Sequence, residues 1–406
     1  MKSIVPSIRF QEFDGDWDYS KLSERMTIFR GASPRPKGDP RFYGGNIPRL
    51  MIQDVSRDGK YAYPCIDFLT EEGAKKSRLL KAGSLVLSCS GTRVAIPGIL
   101  GIDACIHDGW LSFKDYKEVN TEFLYNQFER LHEKIQGSAT KGGVFNNLTT
   151  EIIKSMKMGF PAPEEQQKIA NFLSNVDKKI VLLKEKHSLL VQYNKGVMQK
   201  LFSQEIRFKD EDGNNFPEWV KYTLGDLSNK ISNKNKDESV TNVLTNSAKS
   251  GIVSQTDYFK KDIANQSNLG GYSIVEKNDF VYNPRISELA PVGPIKRNHV
   301  GQGVMSPLYT VFRFKDESVL DYLELYFETT QWHRYMNSIA NFGARHDRMN
   351  ITMGDFFNLP IPIPSENEMV KIVEFIQSLN KKVELVSQQL EHTQTFKKGL
   401  LQQMFV

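Results

Sequence analysis

Pro161–Ser203, PAPEEQQKIANFLSNVDKKIVLLKEKHSLLVQYNKGVMQKLFS, returns at Pro364–Val406 as PSENEMVKIVEFIQSLNKKVELVSQQLEHTQTFKKGLLQQMFV. Shifted by 203 positions, the segments align without a gap and share 12 identities, among them Lys168/Lys371, Ile169/Ile372, Phe172/Phe375, Gly196/Gly399 and Phe202/Phe405. In the first, Ile169, Leu173, Val176, Ile180, Leu183, Leu190, Val197 and Leu201 follow alternating four- and three-residue steps. The second gives Ile372, Ile376, Leu379, Val383, Val386, Leu390, Leu400 and Met404. This is the a/d seam of a coiled coil, sustained over about five heptads. His187 and Asn194 are polar members of the first series, Thr393 and Lys397 of the second. Pro161, Pro163 and Pro364 stand where a helix can begin, and Glu164, Glu165, Glu366 and Glu368 suit the positive end of its dipole. Neither seam can stay in water. The economical solution packs them on each other, antiparallel if a pseudo-twofold axis relates the copies. At 1.5 Å per residue, about 39 helical residues give a rod of roughly 58 Å.

The duplication extends outward from these segments. Asn147-Leu148-Thr149 stands 203 positions before Asn350-Ile351-Thr352. Ile8-Arg9-Phe10, followed by an acidic stretch and Trp17, is echoed by Ile206-Arg207-Phe208, an acidic stretch and Trp219. Phe113-Lys114-Asp115 matches Phe314-Lys315-Asp316. The chain therefore reads as two copies of one unit, each a variable block followed by a repeat helix.

The 406 residues, at roughly 100–200 per domain, predict two to four domains. Hydrophobic content of 39 % and charged content of 25 % are ordinary for a soluble protein with real cores. A net charge of +5 excludes a histone-like polycation, so any nucleic-acid surface must be local. Mean hydropathy is −0.44, and no apolar run approaches the ~18 residues of a membrane span. The N-terminus carries no apolar signal-peptide core. Cys65, Cys89 and Cys105 form no CxxC pair, which argues against a disulfide framework or a zinc ribbon and fits a reducing cytoplasm.

The variable blocks alternate apolar bursts with turn signals: FYGGNIPRLMI, YAYPCIDFL and KAGSLVLSCSGT in the first, GGYSIVEKNDFVYNPRI and GPIKRNHVGQGVMSPLYTVFRF in the second. These read as short, half-buried strands. An amphipathic helix closes each block, over about residues 122–136 and 320–339. The expected fold class is α+β: two globular domains separated by two long helices packed as an antiparallel coiled coil.

No catalytic signature accompanies this fold. There is no GxxxxGK[ST], and Gly301-Gln302-Gly303 lacks the third glycine of a dinucleotide fingerprint. Asn283-Pro284 begins like an NPP(F/Y) amino-methyltransferase motif, but Arg285 follows where the second proline should stand. The seven histidines show no HExxH, and no GxSxG elbow is present. The chain reads as a non-enzyme with neither catalytic nor metal-binding residues.

Binding chemistry is better represented. The first block offers Arg30, Arg35, Lys37 and Arg41 in FRGASPRPKGDPRF, then Ser88, Ser90, Thr92 and Arg93, then Lys141, Asn146 and Asn147 in GSATKGGVFNN. The second offers Lys230, Asn233, Lys234 and Lys236 in SNKISNKNKD, then Asn283, Arg285, Lys296 and Arg297, then Arg345, His346, Arg348 and Asn350 in NFGARHDRMN. Arg pairs with guanine edges, Asn with adenine, and Lys and Ser/Thr hold phosphates, so this inventory suits duplex DNA. Any one cluster alone could be a solvated polar loop. Their matched positions in both copies, after an apolar strand or before the repeat helix, favour DNA. The competing reading is a coiled-coil assembly scaffold whose blocks bind proteins.

PAPEEQQKIANFLSNVDKKI with GVMQKLF, the echoes PSENEMVKIVEFIQSLNKKV with GLLQQMF, and the openings FDGDW and FPEW strongly resemble the specificity subunit of Type I restriction–modification systems. The resemblance covers essentially the whole chain. It implies four parts: target recognition domain 1 (residues 1–157), a central helical region (158–205), target recognition domain 2 (206–361) and a C-terminal helical region (362–406). It further implies that each recognition domain reads one half of a split, asymmetric DNA site, while the helices set the gap. Two modification subunits would dock on the helices, and restriction or motor subunits would complete the complex. S-adenosylmethionine, ATP and Mg would belong to those partners, with no cofactor in this chain. Helix positions shared by both copies but outside the seam are candidates for docking: Phe172, Lys178, Lys179 and Tyr193, with Phe375, Lys381, Lys382 and Phe396. For the aromatics, inward packing on the adjacent recognition domain is the alternative.

Overall fold

The computed structural model describes residues 5–137, 140–142, 145–255, 269–341 and 347–406. Contacts divide the chain into unit 1, Met1–Glu185 with Ser387–Val406, and unit 2, Lys186–Val386. Each unit therefore borrows a stretch of helix from the opposite half of the sequence.

Unit 1 runs through β1 (Asp18–Lys21), β2 (Thr27–Arg30), β3 (Tyr43–Leu50), β4 (Tyr61–Ala62), β5 (Asp67–Leu69) and β6 (Arg78–Leu80). It continues with β7 (Leu85–Ser88), β8 (Ser90–Gly91), β9 (Pro97–Leu100), β10 (Ala104–Ile106) and β11 (Trp110–Lys114). Helix α1 (Thr121–Gly137) follows, then β12 (Thr140–Gly142), β13 (Phe145–Asn147), β14 (Lys157–Phe160) and the start of α2 (Pro163–Phe202). The main sheet has the order β2-β11-β7-β9-β4, beside a second sheet β5-β3-β10-β6. The apolar run Leu85-Val86-Leu87 lies at the centre, fully buried. Its alternate side chains serve two cores: Leu85 and Leu87 join Phe123, Leu124 and Phe128 of α1, while Val86 joins Leu50, Ile106 and Trp110.

Unit 2 repeats the plan with β15 (Val220–Thr223), β16 (Ser228–Ile231), β17 (Leu244–Ser247), β18 (Gly251–Ser254) and β19 (Ser273–Val275). After these come β20 (Phe280–Tyr282), β21 (Ile295–Arg297), β22 (Gly303–Met305) and β23 (Thr310–Phe314). Helices α3 (Leu320–Phe327) and α4 (His333–Ile339), strand β24 (Pro360–Ile363) and helix α5 (Glu366–Gln403) complete the order. Its main sheet, β16-β23-β20-β21, corresponds strand for strand to β2-β11-β7-β9. The antiparallel pairs β1·β14 and β15·β24 likewise correspond. The single amphipathic helix expected over 320–339 is two pieces. The Thr329 hydroxyl donates to the Tyr326 carbonyl at 2.7 Å, and Trp332 turns into the core. A threonine that bonds back to the preceding turn competes with helix continuation, which accounts for the break.

The repeat helices meet their expected lengths: α2 has 40 residues and α5 has 38. Every seam position is buried or half-buried, Ile169, Leu173, Ile180, Leu183, Ile372, Ile376, Leu379 and Val386 being the most enclosed, with Val176, Leu190, Val383 and Leu390 half-buried. Within unit 1 the early part of α2 packs with the late part of α5, as Asp177 beside Lys397 shows. Within unit 2 the late part of α2 packs with the early part of α5, as Asn194 on Asn380 shows. Early against late in both units is antiparallel order. The end of each helix plugs a core: Phe405 packs on Trp17 and Phe123 in unit 1, and Phe202 on Tyr322 in unit 2.

The repeated IRF tripeptides do the same work twice. Arg9 Nε and Nη2 donate to the carboxylate of Glu165 at 2.8 and 2.7 Å, while Nη1 donates to the Gly15 carbonyl and Nη2 also to that of Asp14. Arg207 donates to Glu368 at 3.0 and 2.8 Å and to the carbonyls of Phe216 and Pro217. Phe10 meets Phe172 edge-on, and Phe208 meets Phe375 in the same way. The alternative for these two helix aromatics is therefore the observed one: Phe172 and Phe375 are half-buried against their own units, a correction to their place among the docking candidates. Tyr193 and Phe396 are more than half exposed, and Lys178, Lys179, Lys381 and Lys382 are exposed.

Candidate nucleic-acid interface

The topology gathers the basic clusters at one end of each main sheet. β2 and β7 both run antiparallel to β11 and end at its start: Arg30 pairs with Leu111, and Ser88 with Trp110. β16 and β20 both end at the start of β23: Ile231 pairs with Val311, and Tyr282 with Thr310. The loops after these strands, which carry Arg35 and Lys37 in unit 1 and Lys234 and Lys236 in unit 2, thus emerge side by side with the segments after β7 and β20. The segments before the short helices Thr150–Ser155 in unit 1 and Met353–Phe357 in unit 2 join them. In unit 1, β13 pairs with β8, setting Asn146 opposite Gly91 and Asn147 opposite Ser90, and β12 sets Lys141 opposite Asn146. In unit 2, Arg285 stands opposite Arg348.

That last pair is informative. Ile286 N–H donates to Asp347 O at 3.0 Å and Met349 N–H to Pro284 O at 2.9 Å. Arg285 and Arg348 are therefore a non-hydrogen-bonded pair, flanked by widely spaced hydrogen bonds, whose side chains share one face and approach most closely. Like charges directly opposite each other disfavour pairing unless an anion lies between them. Arg285 is exposed, whereas Arg348 is half-buried with Asp347 at 3.6 Å from its Nε. Among the described residues, Arg348 Nε has no hydrogen-bond partner.

In unit 1, Arg30 Nε donates to Asp108 O at 2.5 Å, and its Nη2 lies 3.4 Å from Asn147 Oδ1. Asp108 also accepts from Ser33 Oγ at 2.6 Å and faces Arg35 Nη2 at 3.6 Å. The Ser33 hydrogen bond holds the Asp108 carboxyl below its ordinary value, against the opposing effect of burial. Ser33, Arg35, Lys37, Tyr43, Arg49 and His107 line a cleft of about 220 Å³ here. Burial, then the nearby Arg49, pull the His107 pKa down, so the ring is neutral at physiological pH. Arg35, Lys37, Ser90, Thr92 and Arg93 are exposed, as are Lys234 and Lys236, with Lys234 Nζ donating to Ser273 Oγ at 3.0 Å.

Three candidates are corrected. Ser88 is 2 % exposed and its Oγ accepts from Ile96 N–H. Asn283, at the corresponding place after β20, is buried; its Nδ2 donates to Asn246 O and its Oδ1 accepts from Arg285 N–H. Both pin the strand end rather than offer a reading edge. Lys296 is engaged by Glu328 and mostly covered. Arg345 and His346 lie outside the described residues. Ser33 and Asp108 carried no recognisable sequence signal, because only the fold brings them to Arg30 and Arg35. Among the described residues, no three His, Cys, Asp or Glu side chains are grouped to hold a metal ion, and no helix is long and apolar enough to cross a membrane.

Comparison with known proteins follows the same duplication. A family model described as the Type I restriction modification DNA specificity domain matches residues 15–191 and again residues 217–393. The MjaIX specificity subunit of a Type I restriction enzyme from Methanocaldococcus jannaschii is 25 % identical over 227 residues, 52 % of this chain and about half (51 %) of the relative's length. The MjaVIII specificity subunit from the same organism is 20 % identical over 382 residues, covering 89 % of this chain and 88 % of the relative. The crystal structure of a Type I restriction–modification S subunit from M. genitalium superposes with a TM-score of 0.55 at 13 % identity, covering 99 % of both chains. With two matched copies, one over each recognition block and the repeat helix that follows it, the chain belongs to the Type I restriction–modification DNA specificity family.

Proposed function

We propose that the chain is a non-catalytic DNA-reading subunit that recognises a split, asymmetric target and positions modification and restriction subunits on it. The observation that carries this reading is the twinned convergence of cation- and amide-bearing segments at one end of each main sheet, with Arg285 opposite Arg348 as its sharpest instance. Two clusters of different composition suit two different half-sites. Phosphate contacts would hold each domain in register, while Arg and Asn side chains reach base edges in the grooves. The seam of α2 and α5 supports a fixed gap between half-sites, on the order of one helical turn (~34 Å) or more. Exposed Tyr193, Phe396 and the lysine pairs Lys178-Lys179 and Lys381-Lys382 offer docking positions for two modification subunits. Methyl transfer, ATP use and cleavage belong to those partners, and the assembly acts in the cytoplasm.

The test is genome-wide detection of methylated bases in a host expressing this chain with modification subunits. One split, non-palindromic motif is expected. A palindromic motif, or methylation independent of this chain, refutes the proposal.

A further inference from the structure

The two crossings of the seam use different polar chemistry at positions that the repeat makes equivalent. Asp177 and Asn380 correspond across the 203-residue shift, and so do Asn194 and Lys397. In unit 1, Lys397 Nζ lies 2.7 Å from Asp177 Oδ1 and 2.7 Å from both carboxylate oxygens of Glu129. In unit 2, the same crossing is neutral: Asn194 Nδ2 donates to Asn380 Oδ1 at 2.6 Å. Burial opposes the Lys397 charge, but Glu129 and Asp177 outweigh it and hold its pKa above the ordinary lysine value. The surrounding charges in unit 1 are Lys60 and Glu122; Lys60 Nζ stands 3.2 Å from Glu122 and 3.8 Å from Asp177.

We infer that this mismatch makes the seam self-selective: the first repeat helix accepts the second repeat helix of its own chain and rejects the first repeat helix of another copy. Antiparallel pairing of two first helices would place Asn194 where Lys397 stands. Glu122, Glu129 and Asp177 would then face Lys60 alone, and a partly buried carboxylate cluster lacking its cation is strongly unfavourable. The apolar seam gives no such discrimination, since Ile169/Ile372, Val176/Leu379 and Ile180/Val383 are near-interchangeable. Polar residues at single seam positions are the established physical means of fixing pairing in coiled coils. The rejection resides in the first helix. A Lys397 brought beside Asn380 would find Asp321, Glu324 and Glu328 lining the same cleft, though Arg297, His299 and Lys296 already engage them.

The experiment co-expresses two differently tagged full-length copies and measures co-purification, with sedimentation for oligomeric state. Wild-type copies should not pair. The exchange N194K/K397N moves the lysine to the first helix, so only another copy's first helix completes the unit 1 site; at least tenfold more of the second tag should be recovered, as a dimer. A folded double variant that behaves as wild type overturns the proposal, and so does wild type that pairs equally well. Should the double variant not fold, K397M decides: its unfolding midpoint should fall by roughly 5–10 °C, and E129Q/D177N/K397M should recover most of that loss. K397M as stable as wild type, or no recovery in the triple variant, also overturns it.

Discussion

Arg207 Nε and Nη2 meet both oxygens of Glu368 at 3.0 and 2.8 Å, a two-pronged ion pair whose carboxylate is fully buried. Trp219 Nε1 donates to the same carboxylate at 2.9 Å, so three donors converge on one side chain. Replacing Glu368 by Gln removes the buried partner and leaves the guanidinium only the exposed Glu218, 3.3 Å from its Nη1. Solvent reaches part of Arg207, so the loss should be about 2–4 kcal/mol, below the extreme for a fully enclosed pair. Denaturant unfolding followed by unit 2 tryptophan fluorescence should register it. Glu165→Gln should damage unit 1 in the same way, and equal loss of both units from either variant would contradict the assignment.

Arg285→Ala should weaken or relax recognition of one half-site, by roughly 1–3 kcal/mol if a base contact is lost. If the Arg285/Arg348 pair clasps a phosphate instead, affinity should fall for every sequence and the salt slope of duplex binding should drop by about one. Titrations of duplexes altered in one half-site at a time separate these outcomes. Damage spread evenly over both half-sites would sink either role.

A four-residue insertion in α2 lengthens that helix by about 6 Å. The preferred gap between half-sites should then grow by one or two base pairs, read from the methylated motif. A gap that does not change would remove the spacer role from the helices.

Tyr193→Ala and Phe396→Ala should reduce capture of modification subunits while leaving the unfolding midpoint near that of wild type, because both rings are exposed. Phe172→Ala and Phe375→Ala should do the reverse, since each ring packs on a phenylalanine of its own unit. Pull-down and thermal unfolding of all four variants form a matched set.

Thiol reagents should separate Cys65 from the other cysteines. Cys65 is exposed, whereas Cys89 and Cys105 are buried. Burial pushes the Cys89 thiol up to about 11, from an ordinary value of 9.0. The folded state therefore binds that proton more tightly than the unfolded state, and stability from this group is lost as pH rises from about 9 towards 11. One fast-reacting thiol at pH 8 is expected; three would mean that the unit 1 core is open.

The helical seam was legible because its information is local: a 3.5-residue period, acidic first turns and two aligned copies. The candidate interface was only half legible. Strand ends and pre-helix segments could be located by matching the copies, and the topology brings them together. Ser88, Asn283 and Lys296 could not be sorted from their exposed neighbours by sequence. Ile96, Asn246 and Glu328, which engage them, lie 8 or more residues away and meet them only through the fold. The IRF repeat was visible as a repeat, but nothing local shows that its arginine would grip a glutamate more than 150 residues downstream.

Because Leu400, Leu401, Met404 and Phe405 belong to the core of unit 1, its hydrophobic socket stays open until the second repeat helix has been translated through Phe405. A premature stop near codon 387 would therefore spare the later-encoded domain and cripple the one synthesised first.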